Sequence, residues 1–315
     1  MANTRSQQTT LIANNLPDNT TQDITPQDLR DVLDDGVTAS AFVDDTNTFT
    51  GSNIFTQQVQ VQNAYIDGSA DNIELNDAGG ILPASSYSVA IGTNQTAKSG
   101  TYNVFIGDDV NPTSGDYNVQ IGYRSGYQST CNDSVHLGYS AGDNAAGIRV
   151  TAVGQNACTS NSQDDVVGIG PSSVTSNSGL AAIGIGKQAG TGNGGDYVVA
   201  VGVNAGNSNQ DDNCIFIGHD AGLEQVSGSD GTVVIGNQAG YQHDGQKSVY
   251  VGDLAGRTAV GRFNVAIGSN AANGVQGQNN VCIGVQAGIN SAGNQNILIG
   301  SNSGDGIINS SNSIG

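Results

Sequence analysis

The sequence has 315 residues and a formal net charge of −19, from 28 acidic and 9 basic side chains, with 46 glycines, 5% aromatic residues and no tryptophan. This composition lacks the large side chains that fill a thick globular core, yet its apolar residues are mainly the Val, Ile and Ala of β structure, which argues against disorder. The charge makes nucleic acid and anionic membrane surfaces poor partners.

The first 25 residues are polar and contain no apolar stretch of the kind found in signal peptides, and no run approaches 18 apolar residues. We therefore expect a protein that is made in a cytoplasm, without a secretion signal and without membrane insertion. The four cysteines are far apart and form no C-x-x-C pair, which predicts free thiols and no metal or other cofactor. They are Cys131, Cys158, Cys214 and Cys282.

A short helix is predicted over 25–35, inside an N-terminal segment that spans 1–40. The pattern has a capping residue, a proline at the first helical position, an acid three residues after the cap and one apolar face. These residues are Thr25, Pro26, Asp28, Leu29, Val32 and Leu33. The apolar face suits docking on another protein and packing between copies of the chain about equally. Residues 41–84, which include the small repeat NTFTG and NIFT, are predicted to form an intertwined β neck.

From residue 85 to 315 the chain is organised by an internal repeat with the motif V-x-I-G. Ten of the fourteen intervals between the motif glycines are 16 residues, three are 15 and one is 18. The glycines are Gly92, Gly107, Gly122, Gly138, Gly154, Gly170, Gly186, Gly202, Gly218, Gly236, Gly252, Gly268, Gly284, Gly300 and Gly315. This regularity predicts an all-β parallel solenoid of about fifteen coils, one coil per repeat.

The columns of the repeat predict which side chains face inward. The two aliphatic residues of V-x-I-G are two apart and share one face of a strand, and we assign them to the interior. The variable residue between them, such as Gln120 or His136, is then expected to face outward. A small residue three positions after the glycine, such as Ala141 or Ala189, is predicted to be the second inward position of a narrow coil. So thin a core predicts that a further apolar face is buried between chains of a homo-oligomer.

Two resemblances refine this prediction. The stretch SVAIGTNQTAKSGTYNVFIGDDV (88–110) resembles the head domain of trimeric autotransporter adhesins, the YadA-like head, over about 230 residues. That resemblance implies a left-handed parallel β-roll, a homotrimer and adhesion. The segment NTTQDITPQDLRDVLDDG (19–36) resembles an N-terminal segment of structural proteins of tailed phages, which implies anchoring to a baseplate, tail or capsid protein.

A cluster of tyrosines forms the candidate binding site. Stacked aromatic side chains with hydroxyl tips suit sugar rings, which predicts a host-surface glycan as partner; the alternative is that they shield the first coils. The residues are Tyr87, Tyr102, Tyr117, Tyr123, Tyr127 and Tyr139.

Catalysis has little support in the sequence, because the three histidines and the acidic doublets are expected on different columns, so we predict no enzyme, no catalytic residue and no metal site. The doublets are Asp108-Asp109, Asp164-Asp165 and Asp211-Asp212.

The leading hypothesis from sequence is a virion fibre of a tailed bacteriophage, on tail or head, that projects a trimeric β-roll for adhesion or as a stalk for another protein. The alternatives are a bacterial trimeric adhesin and a non-adhesive spacer or decoration protein. A solenoid polysaccharide lyase would need a charged cluster on adjacent coils, and an ice-binding solenoid would need a regular Thr or Asn array; neither pattern is present.

Overall fold

A computed structural model describes residues 73–76, 87–95, 99–224, 230–305, 312 and 314–315, all within the compact unit Ile66–Gly315. The predicted anchor helix with Thr25 and Leu33, and most of the predicted neck, lie outside the described residues. Within them there is no helix.

The described chain is one parallel solenoid. A single sheet of fifteen strands runs in sequence order from β1 to β15, and neighbouring strands pair in parallel. The strands are β1 Ile73–Asn76, β2 Val89–Gly92, β3 Val104–Ile106, β4 Val119–Ile121, β5 Val135–Leu137, β6 Thr151–Val153, β7 Val167–Ile169, β8 Ile183–Ile185, β9 Val199–Val201, β10 Ile215–Ile217, β11 Val233–Ile235, β12 Val249–Val251, β13 Val265–Ile267, β14 Val281–Ile283 and β15 Ile297–Ile299. The predicted all-β parallel solenoid with a period of about 16 residues is confirmed.

The number of coils is smaller than the motif count predicts. The solenoid has about 13 turns rather than fifteen. The last motif glycine, Gly315, is out of register, because its N–H donates to the carbonyl of Ile297 and its carbonyl accepts from the N–H of Ile299. Gly315 therefore lies opposite the middle residue of β15, Leu298, and not two residues further along as a motif glycine would.

The face assignment of the strands is the main correction. In every strand from β2 to β15 the middle residue is buried, whereas the aliphatic residues on either side of it are half-buried or exposed. Gln120 and His136, which we expected to face outward, are both fully buried inside the coil. The Val and Ile columns, which we assigned to the interior, lie on the outer surface.

Small residues close the interior from the opposite side, as predicted. Ala141, Ala189, Ala239 and Ala287 are fully buried, so only the thickness of one side chain from each wall separates the two walls of a coil. Where the middle strand residue is large, the wall opposite has no room for a side chain. A Cβ on Gly222 would collide with the ring of Phe216.

The wall opposite the strands is built of turns. Between Gly138 and Ala145, residues with positive φ alternate with ordinary ones: Ser140 at 50°, Gly142 at 66° and Asn144 at 56°. The N–H groups of these positive-φ residues point alternately to the coil before and the coil after, so that of Ser140 donates to Tyr123 O at 2.9 Å and that of Gly142 to Ala157 O at 2.8 Å. The N–H groups of the residues between them donate within the coil, as that of Ala141 does to Gly138 O. Glycine, asparagine and serine are frequent in the repeat because this left-handed conformation disfavours most other side chains.

The motif glycine permits the coils to stack closely. Gly252 has a φ of 139°, and a Cβ there would collide with the carbonyl oxygen of Gly268 in the next coil. Any larger residue would separate the coils at the end of the strand, which explains why this column is invariant along the sequence.

Buried asparagines satisfy the polar groups of the interior in two ladders. Just before the strands, the N–H of Asn118 donates to Asn103 Oδ1 at 2.8 Å, and that of Asn280 donates to Asn264 Oδ1 at 3.0 Å. On another column, the amide side chains of Asn161, Asn177, Asn193 and Asn209 donate to one another from coil to coil at 2.8–2.9 Å. These side chains replace the hydrogen bonds that water would make in a wider protein interior.

Candidate interaction surface

The outer face of the strands is a continuous apolar surface, which we call the aliphatic stripe. It consists of the two residues that flank the middle residue in each strand from β2 to β15, and all of them are Val, Ile or Leu except Thr151. Ile217 is 39% exposed and Ile299 is 58% exposed. The parallel register continues to β1, where Ile73 pairs with Val89 and Leu75 with Ile91. Single apolar side chains are common on protein surfaces, but a contiguous apolar surface of this length marks an interaction site.

Two columns border the aliphatic stripe, and we call them the rim columns. The first rim column contains the residue two positions before the first stripe residue of each strand; the second contains the residue two positions after the second stripe residue. Between Tyr87 and the end of β15, the exposed large hydrophobic side chains outside the strands lie mainly in these two columns. Among the described residues, Leu180 and Val260 are the exceptions. They are Tyr87, Tyr102, Tyr117, Tyr197 and Phe263 in the first column, and Tyr123, Tyr139, Val203 and Val285 in the second.

Three of the six predicted binding-site tyrosines form a regular stack, which we call the tyrosine ladder: Tyr87, Tyr102 and Tyr117. Neighbouring ring centroids are 5.0 Å apart, with interplanar angles of 7° and 4°. All three residues have positive φ, between 51° and 58°, so the backbone at this corner of the coil directs the rings outward in the same orientation. The sequence register correctly placed the three rings in one column.

The other three tyrosines lie elsewhere. Tyr123 and Tyr139 stack on each other in the second rim column, with centroids 5.3 Å apart. Tyr127 is on the turn wall, where the Arg124 guanidinium carbon lies 4.2 Å from its ring centroid. The six residues therefore do not form a single site.

The geometry of the tyrosine ladder bears on the predicted glycan site. Sugar rings bind aromatic side chains through the ring face. Within the ladder, each ring covers the face of its neighbour, so Tyr102 presents its edge and hydroxyl, and an open face remains only at the two ends of the stack. Glycan binding stays a prediction, and stacking gives the ladder a structural role that does not require a ligand.

The acidic residues have structural partners on the outer surface. Asp164 and Asp212, from two of the doublets, share one column with Asp196, contrary to the expectation that the doublets fall on different columns. The Oδ1 atoms accept backbone N–H groups from the preceding coil, with N–O distances of 2.8 Å from Ile148 to Asp164 and 2.8 Å from Asp196 to Asp212. Such a carboxylate caps the edge of a coil, which gives part of the negative charge a role in stacking.

One ion pair ties neighbouring coils in the first rim column. Arg149 Nε lies 2.5 Å from Asp165 Oδ1, and the second nitrogen, Nη2, donates to Oδ2 at 2.7 Å. The hydrogen bond from Arg149 lowers the pKa of the Asp165 carboxyl. Both side chains are exposed, so the pair contributes little to the stability of the chain.

The histidines are dispersed, as the sequence indicated. His136 and His243 are buried inside different coils, and His219 is exposed, with its Nδ1 3.1 Å from Asp220 Oδ2. Burial lowers the pKa of His136 to about 4 and also lowers that of His243. Within the described part of the chain, no group of three or more His, Cys, Asp or Glu side chains is placed to hold a metal ion.

In the part of the chain that the structure describes, no helix is long and apolar enough to cross a membrane. Comparison with known proteins finds no family model that matches the chain, no similar curated protein and no similar solved structure.

Proposed function

We propose that this chain is a structural fibre protein of a tailed-bacteriophage virion, in which three parallel copies pack along the aliphatic stripe. The observation that carries the proposal is the stripe itself. It places two exposed or half-buried aliphatic side chains on the surface in nearly every coil, in a chain whose other outer columns are mainly polar. A monomer would leave this surface in water along the whole solenoid.

The free energy that burial of the aliphatic stripe would contribute favours self-association. Full burial of a Val, Leu or Ile side chain contributes about 1.5–3 kcal/mol, so covering the quarter or so that remains exposed contributes about 0.5 kcal/mol per side chain. Over the stripe this amounts to more than about 10 kcal/mol per chain, comparable with the cost of association, about 4–15 kcal/mol. Because the stripe is uniform from coil to coil, a parallel arrangement lets every coil gain the same burial. The number three comes from the resemblance to YadA-like heads.

Assignment to a virion rests on the N-terminal resemblance. The 1–40 segment, with its capped helix pattern around Pro26 and Leu29, is the proposed anchor to a baseplate, tail or capsid protein. The solenoid would then project from the particle. No enzymatic activity, cofactor or nucleic-acid partner is part of the proposal. A bacterial trimeric adhesin would use the same solenoid on a different anchor.

The role of the projecting solenoid has two versions, adhesion to host glycans and spacing of another protein from the particle. The stacked faces of the tyrosine ladder favour the spacer, because Tyr102 has neither ring face free for a sugar.

Two measurements test the proposal. Sedimentation equilibrium of the purified full-length protein should give three times the chain mass of 31.8 kDa. A folded monomer at micromolar concentration would refute the trimer. Deleting residues 1–40 should leave a trimeric solenoid that no longer joins particles; incorporation of the truncated protein at normal copy number would show that the anchor lies elsewhere.

A further inference from the structure

The two rim columns lie on opposite edges of the same strand face. In coil after coil, the residue two positions before the strand and the residue two positions after it flank the aliphatic stripe. Two coils carry apolar residues in both positions: Tyr117 with Tyr123, and Tyr197 with Val203, all of them exposed. One coil carries opposite charges, Lys247 and Asp253, both exposed on the surface.

Rotational symmetry determines which of these edges meet. A symmetry axis parallel to the solenoid brings the first rim column of one copy next to the second rim column of its neighbour. Such an axis leaves the height of each coil unchanged. The rim residues of one coil are six positions apart in a coil of about 16, so their difference in height is about 2 Å, less than half of the spacing of about 4.8 Å between coils. The residues that meet across the boundary therefore come from equivalent coils.

We infer that the rim columns pair coil for coil between neighbouring copies, with Tyr117 against Tyr123, Tyr197 against Val203 and Lys247 against Asp253. This inference rests on the parallel self-association proposed above and adds its register and its contacts. Paired in this way, none of the fourteen strands from β2 to β15 brings two like charges together, and β12 brings two opposite charges together. Lys247 forms no ion pair among the described residues, and its ammonium lies 5.9 Å from the ring centroid of Phe263. A neighbouring Asp253 would supply its counter-charge.

The inference assigns the tyrosines to the interface between copies. The tyrosine ladder borders the stripe on one side, and the pair Tyr123 and Tyr139 borders it on the other. In a ring of parallel copies the two sets lie along the same boundary and meet in the coil of β4, with Tyr117 against Tyr123. The kind of partner that fits the aromatic rim is then a second copy of this chain.

Disulfide cross-linking of the full-length protein tests the register. The double variant Lys247→Cys with Asp253→Cys should, on mild oxidation, give mainly covalent trimers on a non-reducing denaturing gel, because each copy can link to both neighbours. Within one chain, the two positions are separated by six residues of mainly extended backbone, up to about 20 Å, which is too far for an internal disulfide. The four native cysteines are fully buried, and burial raises the pKa of every one of them, to about 11 or 12, so their background reaction is low.

Two control variants keep Lys247→Cys and place the second cysteine one coil before or one coil after position 253, as Asn237→Cys or as Ser269→Cys. These should give at least tenfold less covalent trimer. Sedimentation of each unoxidised variant separates the possible failures. A variant that sediments as a trimer but does not cross-link would overturn the coil-for-coil pairing and leave the trimer intact, and preferential cross-linking of a shifted pair would do the same. A monomer would overturn both the trimer and the pairing.

Discussion

Replacing Ile217 by aspartate separates assembly from folding. Because the side chain is 39% exposed and points away from the coil interior, a carboxylate there stays in water in the single chain, and the solenoid should fold. In the proposed trimer, three carboxylates would be placed at the same height in an apolar interface. The variant should therefore be a folded monomer at concentrations where the native protein is a trimer.

The expected loss can be estimated from the exposed fraction. Each copy forgoes about 0.6–1.2 kcal/mol of further burial of Ile217, and each unpaired carboxylate costs at least 1 kcal/mol, about 5 kcal/mol or more per trimer. The trimer dissociation constant should rise by at least about 10³-fold. Sedimentation measures the association, and far-ultraviolet circular dichroism measures the fold.

Two controls make this test specific. Ser176→Asp places the same charge on the exposed turn wall and should leave the trimer intact. Phe216→Ala empties a fully buried position next to Ile217 and should destabilise the solenoid by about 3–5 kcal/mol. If Ile217→Asp assembles as the native protein does, or if it unfolds the single chain while Phe216→Ala has no effect, the assignment of inner and outer faces is refuted.

Three further predictions concern the interior and the aromatic rim. Burial favours the neutral form of His136 and lowers its pKa to about 4, against 6.5 in the unfolded chain. The free energy of unfolding should therefore fall by about 3 kcal/mol as the pH falls from 6.5 to 4. In the variant His136→Gln, the melting temperature should lose this part of its pH dependence. Full-length protein in native buffer should react with a thiol reagent at none of Cys131, Cys158, Cys214 and Cys282 until it is unfolded, and rapid labelling in native buffer would contradict their burial. Replacing Tyr87, Tyr102 and Tyr117 by serine should lower the melting temperature of the trimer and leave adsorption to host cells unchanged if the ladder is structural; loss of adsorption by an intact trimer would establish the glycan site.

The period and the parallel stacking could be predicted from sequence because the motif glycine column is imposed by backbone contacts, as the position of Gly252 shows. The small residues on the opposite wall could be predicted as well, because the interior of so short a coil is narrow. Which face of the strands points inward could not be predicted. An alternation of period two defines two faces, but hydrophobicity indicates which one is inward only when the other is polar. Here Ile217 and Phe216 are both apolar, so the uniformity of the Val and Ile columns wrongly predicts that they form the core.

The aromatic and acidic columns illustrate the same limit. The stack of Tyr102 on its neighbours followed from register alone. The role of Asp164 as a cap for the N–H of Ile148 did not, because it depends on the backbone at the corner of the coil. The sequence signal that was missed is the recurrence of Asp or Asn in that column, which a count by column rather than by motif would have shown.

The middle residues of the strands form the inner column of the solenoid, and their sizes vary for a physical reason. The middle strand residue ranges from Gly168 and Gly184 to Phe216, yet the coil keeps its width. Where the strand contributes only a hydrogen, the opposite wall carries a larger side chain in spite of a positive φ. Val174, with a φ of 50°, lies against Gly184, and Cys158, with a φ of 51°, lies against Gly168. Where the strand contributes Phe216, the opposite wall carries glycine. Each inner residue is thus matched by residues on the opposite wall of its own coil or of the coil before it. The aliphatic stripe faces away from these walls and has no such compensation within the chain, and like the motif glycine column it hardly varies. The proposed contact with other copies at every coil would account for that uniformity, because a change at Ile217 could then be compensated only in another chain.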